Sequence, residues 1–266
     1  MNPEIEFRQK YKPDYTGMTL TELPFCEIEN YSKVRQIYKL DFITQANQDT
    51  GLKPVIFFIH GGGFIQPCDK RQAYISMFAR ILTAAGYAVV VPDYPVFDDG
   101  AQMAEAGGET ACYAKSGEAI HYACRFIKEH AEELGLDSDK TAIIGGSAGG
   151  MAAFYAIANY TDSYRAFINL WGAPEQVPKL AGFPPTLSVH GNADELVAYE
   201  REYSVQEELS RYGIEHYLIT LDGSGHTPLN RMDEYMPQIM KLLNKVLGIR
   251  ADCGCGKKDK AGYVRI

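Results

Sequence analysis

Six apolar runs of strand length divide the chain: 55–60 (VIFFIH), 88–92 (AVVVP), 141–145 (TAIIG), 167–171 (FINLW), 185–190 (PTLSVH) and 215–220 (EHYLIT). They are nearly continuous rather than alternating, and that pattern suits strands covered on both faces, as in a parallel sheet. Between them lie stretches with helical spacing, at 71–85, 109–134, 151–158, 200–212 and 236–247. In the first, Tyr74, Phe78, Ile81 and Leu82 fall on one face, and in the second Ile120, Ala123, Cys124 and Ile127 do the same. Strand alternating with helix predicts an α/β fold, with a mostly parallel central sheet flanked by helices. Upstream, 32–43 (SKVRQIYKLDFI) alternates apolar and polar, which predicts a half-exposed antiparallel strand at one edge. No interdomain linker interrupts the pattern, so residues 1–247 read as a single domain of a size that closes its own core. Residues 248–266 read as a loose tail, and the Gly/Asp-rich stretch 98–108 as a long loop.

Charge and composition narrow the partners. The formal net charge is −8, and no basic stripe is present to meet phosphates, so nucleic acid is not expected as a partner. No run of 18 apolar residues occurs, so no membrane span is expected. The opening MNPEIEFRQKYKPDY carries no apolar leader core, and the expectation is a cytoplasmic protein; a secreted chain already freed of its signal would read the same. The six cysteines are scattered, and Cys253 and Cys255 lack two further ligands at metal spacing, so free thiols are expected and no metal. A homo-oligomer is compatible with the sequence.

The chemistry concentrates where strands give way to turns. Gly145-Gly146-Ser147-Ala148-Gly149 matches G-x-S-x-G between a predicted strand and a predicted helix. A serine on that sharp turn needs neighbours without bulk two residues either way, and gains a hydroxyl that projects above the sheet. A phosphate loop would need a lysine that is missing here, and a dinucleotide fingerprint would need glycine where Ser147 stands. Serine is a weak nucleophile until a histidine takes its proton and a carboxylate fixes the histidine tautomer. Of the six histidines, His226 stands in a loop just past the last predicted strand, in Asp222-Gly-Ser-Gly-His-Thr-Pro. His121 and His130 lie in the long helical stretch, His216 lies inside an apolar run, and His60 reads as a hydrogen-bonding residue under a loop. For the acid, Asp194 is favoured by its place four residues past the strand ending at His190, with Glu195 and Asp222 as rivals. His60-Gly61-Gly62-Gly63 follows a strand directly, and its backbone N–H groups, with that of Ala148, suit an oxyanion hole.

These four motifs, in this order, resemble the α/β-hydrolases of the hormone-sensitive-lipase-like esterase group, over roughly residues 35–247. The resemblance implies an α/β-hydrolase fold; the chain departs from the group in the short region before the oxyanion loop, so no large cap is expected. The resemblance also implies hydrolysis of small-molecule carboxylic esters with no cofactor. Ser147 would be the nucleophile, Asp194 the acid and His226 the base, with Gly62, Gly63 and Ala148 as oxyanion donors. Where that group carries Asp-Tyr-Arg-Leu, this chain has Asp93-Tyr94-Pro95-Val96. Phe64 and Trp171 are candidate pocket residues, and the missing cap points to short acyl groups. Amide hydrolysis, as in arylformamidases or small peptidases, and carbohydrate deacetylation use the same triad and stay open; a non-catalytic ligand-binding member usually loses a triad residue.

Overall fold

The computed structural model describes residues 12–46 and 51–248. Two antiparallel strands open the fold, β1 (Met18–Glu29) and β2 (Arg35–Gln45), followed by β3 (Lys53–Ile59). Then come helix α1 (Ala73–Ala84), β4 (Ala88–Pro92), the short α2 (Gly100–Glu105) and, after a 3₁₀ turn at Glu109–Cys112, α3 (Tyr113–Glu129). The second half runs β5 (Leu136–Gly146), α4 (Ala148–Asn159), β6 (Phe167–Leu170), β7 (Thr186–Gly191), α5 (Glu200–Arg211), β8 (His216–Leu221) and α6 (Met232–Leu247). The eight strands form one sheet in the order β1-β2-β4-β3-β5-β6-β7-β8. Pairings from β4 to β8 are parallel, and β1–β2 and β2–β4 are antiparallel. This is the α/β-hydrolase arrangement, with no large cap among the described residues.

The sheet explains the continuous apolar runs. Along β3, Val55, Phe57 and Ile59 join the core on one face, with Ala119, Ile120, Ala123 and Ile127 of α3 and Phe154 of α4. Ile56 and Phe58 face the other way, against Ile75, Phe78 and Leu82 of α1 and Ile239 and Leu243 of α6. Each β3 residue from Val55 to Ile59 meets helices above or below, so neither face of that strand keeps a polar alternation.

Three details differ from expectation. The strand expected at an edge is second from it, because β1 covers its outer side. The register of β1 shifts between Pro24 and Cys26; proline lacks the ladder donor, and an edge strand with a bulge absorbs it. The long helical stretch starts as a 3₁₀ turn, and the loop before it holds α2, whose N-cap Asp99 accepts from the Gln102 N–H. The tail beyond Gly248, with Cys253 and Cys255, lies outside the described residues. No helix among the described residues is long and apolar enough to cross a membrane.

Candidate active site

Because β3, β5, β7 and β8 run parallel, the loops that leave their carboxyl ends gather on one edge of the sheet. Those loops carry Gly61–Gly63, Ser147, Asp194 and His226.

The Ser147 turn is shaped by close approach. Ser147 has φ 54° and ψ −125°, a left-handed conformation that costs a non-glycine residue about 1–3 kcal/mol. It is held by its own N–H, which donates to the Leu170 carbonyl at 2.8 Å, and by its carbonyl, which accepts from the Gly150 N–H at 2.8 Å. A Cβ on Gly145 would stand 2.5 Å from the Gly149 oxygen, and one on Gly149 would stand 2.2 Å from the Ile59 oxygen. Strand, turn and helix therefore touch backbone to backbone at the two glycines of the motif.

The turn brings the hydroxyl to the histidine. Ser147 Oγ lies 2.9 Å from His226 Nε2, and His226 Nδ1 lies 2.7 Å from Asp194 Oδ2. A carboxylate only accepts, so Nδ1 carries the proton of the neutral ring and Nε2 turns its lone pair to the serine. Asp194 is itself fixed: its Oδ1 accepts from the Leu196 and Val197 N–H groups at 2.9 and 3.0 Å. Burial would raise its pKa, but the bonds from His190 and His226 outweigh that and hold it well below the usual carboxylate range. Of the rival acids, Asp222 accepts from Asn192 Nδ2 at 2.8 Å, and Glu195 is exposed.

The glycine loop after β3 lies against this turn. A Cβ on Gly61 would stand 2.8 Å from the Gly146 oxygen and 3.1 Å from Ser147 Cβ. The Gly61 N–H donates to Tyr74 Oη at 2.7 Å, which leaves the N–H groups of Gly62, Gly63 and Ala148 as the ones to consider for an oxyanion. Gly62 and Gly63 have φ of 128° and 64°, values that favour glycine. His60 lies beneath the loop: its Nδ1 is 3.0 Å from the Gly61 oxygen, its ring stacks on Tyr94 at 4.2 Å, and burial lowers its pKa.

Phe64 and Trp171 are placed beside the loops but are each only 1% exposed. Trp171 packs edge-on to His226, Tyr74 and Tyr235. The other histidines are engaged elsewhere: His121 on Asp162, His130 on the Phe126 carbonyl and His216 on the Ile214 carbonyl. Two neighbours of the site escaped the sequence reading. Tyr74 read only as a core position of α1. His190 read only as a strand end, although a histidine inside an apolar run is itself a signal of a buried polar contact.

Comparison with known proteins agrees with the architecture. A family model described as phospholipase/carboxylesterase matches residues 112–247, and one designated BD-FAE matches residues 40–170. An α/β-hydrolase enzyme from a Medee basin deep-sea metagenome library superposes with a TM-score of 0.69 at 20% identity, covering 88% of this chain and all of that one. Thermogutta terrifontis esterase 2 gives 0.66 at 21%, covering 91% of this chain and 97% of its own. A truncated carbohydrate esterase from gut microbiota gives 0.67 at 17%, covering 89% and 99%. A search of curated protein sequences finds no match. A strand-end serine, an aligned histidine and a family model covering half the chain lead to one assignment: the chain belongs to the phospholipase/carboxylesterase family of α/β-hydrolases, and is a serine hydrolase acting on carboxylic esters.

Proposed function

We propose that Ser147, His226 and Asp194 form the catalytic triad of a carboxylesterase for small, short-acyl esters. The observation that carries this reading is the unbroken line from Asp194 Oδ2 through both nitrogens of His226 to Ser147 Oγ, at 2.7 and 2.9 Å. In the acylation step His226 Nε2 takes the Ser147 proton while Oγ bonds to the ester carbonyl carbon. The carbonyl oxygen gains the negative charge and is met by N–H groups of Gly62, Gly63 and Ala148. One such donor is worth about 3 kcal/mol to the transition state. The tetrahedral adduct collapses, the alcohol leaves with the proton from His226, and an acyl group remains on Ser147. Water, deprotonated by His226, then releases the acid. Asp194 keeps its charge throughout and stabilises the imidazolium that forms at each step. The His60–Gly63 loop favours a place beside hormone-sensitive-lipase-like esterases within the larger family.

The preference for short acyl groups rests on what borders the site. The only α-helix in the segment between β4 and the 3₁₀ turn is the six-residue α2, with the mostly small or polar sequence GAQMAE, and the aromatics of that segment, Tyr94 and Phe97, are buried in the core rather than free to cover a long chain. Each acyl CH₂ buried in a deep groove would add about 0.8 kcal/mol, and kcat/KM would climb steeply with chain length. We expect the reverse: acetyl and butyryl p-nitrophenyl esters turn over best, with activity falling by octanoyl. A maximum at eight or twelve carbons overturns the size assignment. Preference for an N-formyl anilide over every ester would move the assignment to amide hydrolysis.

A further inference from the structure

Asp194 is shared between two histidines. His226 Nδ1 approaches its Oδ2 from the site, and His190 Nε2 approaches the same oxygen from the interior at 3.1 Å. His190 Nε2 also lies 3.0 Å from the Val197 carbonyl oxygen, and its Nδ1 lies 3.4 Å from Glu202 Oε2. Every partner of both ring nitrogens is therefore an acceptor, and the form of His190 that satisfies all of them is the imidazolium, with two N–H groups donating. His190, Glu202 and the Asp194 side chain are all fully buried. A buried charge survives only when paired and hydrogen-bonded, and this chain supplies both. Glu202 is anchored in turn: its Oε1 accepts from Gln206 Nε2 at 2.7 Å, and Gln206 Nε2 also lies 3.4 Å from Ser188 Oγ.

We propose that His190 and Glu202 are positioning residues for ester hydrolysis: Glu202 keeps both ring nitrogens of His190 donating, and His190 pins Asp194 Oδ2 on the line to His226. The inference rests on the triad reading above. The groups that face His190 are Asp194 from the loop after β7, Glu202 of α5, and Tyr199, whose ring packs edge-on at 5.6 Å and whose hydroxyl lies 2.5 Å from Thr220 Oγ1. Burial lowers the His190 pKa, but the bonds to Asp194 and Glu202 outweigh it and raise the value to about 9. A neutral His190 donates from one nitrogen only, and turns a lone pair toward either Asp194 or Glu202. With the lone pair toward Asp194, the line to His226 is held by the Leu196 and Val197 N–H groups alone, which grip the other carboxylate oxygen; with it toward Glu202, the Glu202 carboxylate faces a lone pair in the interior, so the charged ring alone serves both.

The test is a nitrogen NMR titration of the histidines in the wild-type chain, joined to kinetics of two variants. In the wild type, both His190 nitrogens should stay protonated at pH 8; a neutral His190 at that pH overturns the proposal, and no variant needs to fold for this result. In Glu202→Gln, His190 should lose its proton at least about one pH unit earlier. kcat for an acetyl ester should fall about tenfold with KM unchanged, and more steeply above the new titration point. Glu202→Asp should restore most of the kcat and its pH profile. A Glu202→Gln enzyme with wild-type kcat, or with His190 titrating as before, refutes the positioning role. Absence of ester turnover in the wild type would count against the triad reading instead, and the NMR arm still decides the charge on His190.

Discussion

The loop that carries His226 is placed by a glycine with no part in the chemistry. Gly191 closes β7 opposite Leu221 of β8, and a Cβ built on it would lie 2.2 Å from the Ser224 oxygen and 2.7 Å from the Gly225 oxygen. Ordinary contact for such a Cβ begins near 3.4 Å, so Gly191→Ala must push the 224–225 backbone away by about 1 Å. The loop is tied to the same region, since the Ala193 N–H donates to the Ser224 oxygen at 2.9 Å and the Gly223 N–H to Asn192 Oδ1 at 2.7 Å. His226 follows two residues later, and a displacement of that size takes its Nε2 out of hydrogen-bond reach of Ser147 Oγ, now at 2.9 Å. Misplacing a catalytic group by about 1 Å costs about a hundredfold in rate, or about 2.7 kcal/mol. The loop is largely exposed, so the fold should lose only about 1–3 kcal/mol, the ordinary cost of overpacking. The assay is kcat/KM on an acetyl ester beside a melting curve, with Gly225→Ala as control, because a Cβ there meets only the Ala193 oxygen at 3.8 Å. The expected result is a hundredfold loss for Gly191→Ala and a small change for Gly225→Ala. A Gly191→Ala enzyme within threefold of wild type would refute the reasoning.

Two further outcomes follow from the carboxylates and the buried histidine. Asp194→Asn should lower kcat by about 10⁴-fold, because an amide can favour the wrong imidazole tautomer, while Asp222→Asn and Glu195→Gln change it little; steady-state kinetics of the three variants decide it. Stability should also depend on pH through the same cluster. The His190 pKa is raised in the folded chain from 6.5 to about 9, so its contribution is complete below 6.5 and disappears as pH rises through 9. At about 1.4 kcal/mol for each pH unit, that amounts to at most about 3 kcal/mol, read as a falling denaturant midpoint between pH 7 and 9. Asp194, whose pKa is depressed, acts on the acid side: its contribution is present above 3.8 and is lost as pH falls below it.

Much of the architecture was legible because the sheet is buried on both faces, and burial writes itself into sequence as continuous apolar runs at 55–59, 88–92 and 141–145. The Ser147 turn was legible for a steric reason. Gly145 and Gly149 have no room for a side chain, so the pattern records the contact itself. Strand β1 was not, because one of its faces is largely solvated and Pro24 breaks its alternation at a bulge. The roles of Tyr74 and His190 were hidden for another reason. Each depends on a partner far along the chain or across a loop, such as Gly61 for Tyr74 and Glu202 for His190, and such pairings leave no local spacing to read.

The central claim is that Ser147 is a nucleophile activated by His226. A fluorophosphonate probe tests it most directly, since the probe reacts with an activated serine and is retained through a covalent bond. Intact-mass and peptide analysis should show one adduct, on Ser147, absent in Ser147→Ala and formed far more slowly in His226→Ala. A wild-type chain that stays unlabelled, or that carries the adduct on another residue, would contradict the account.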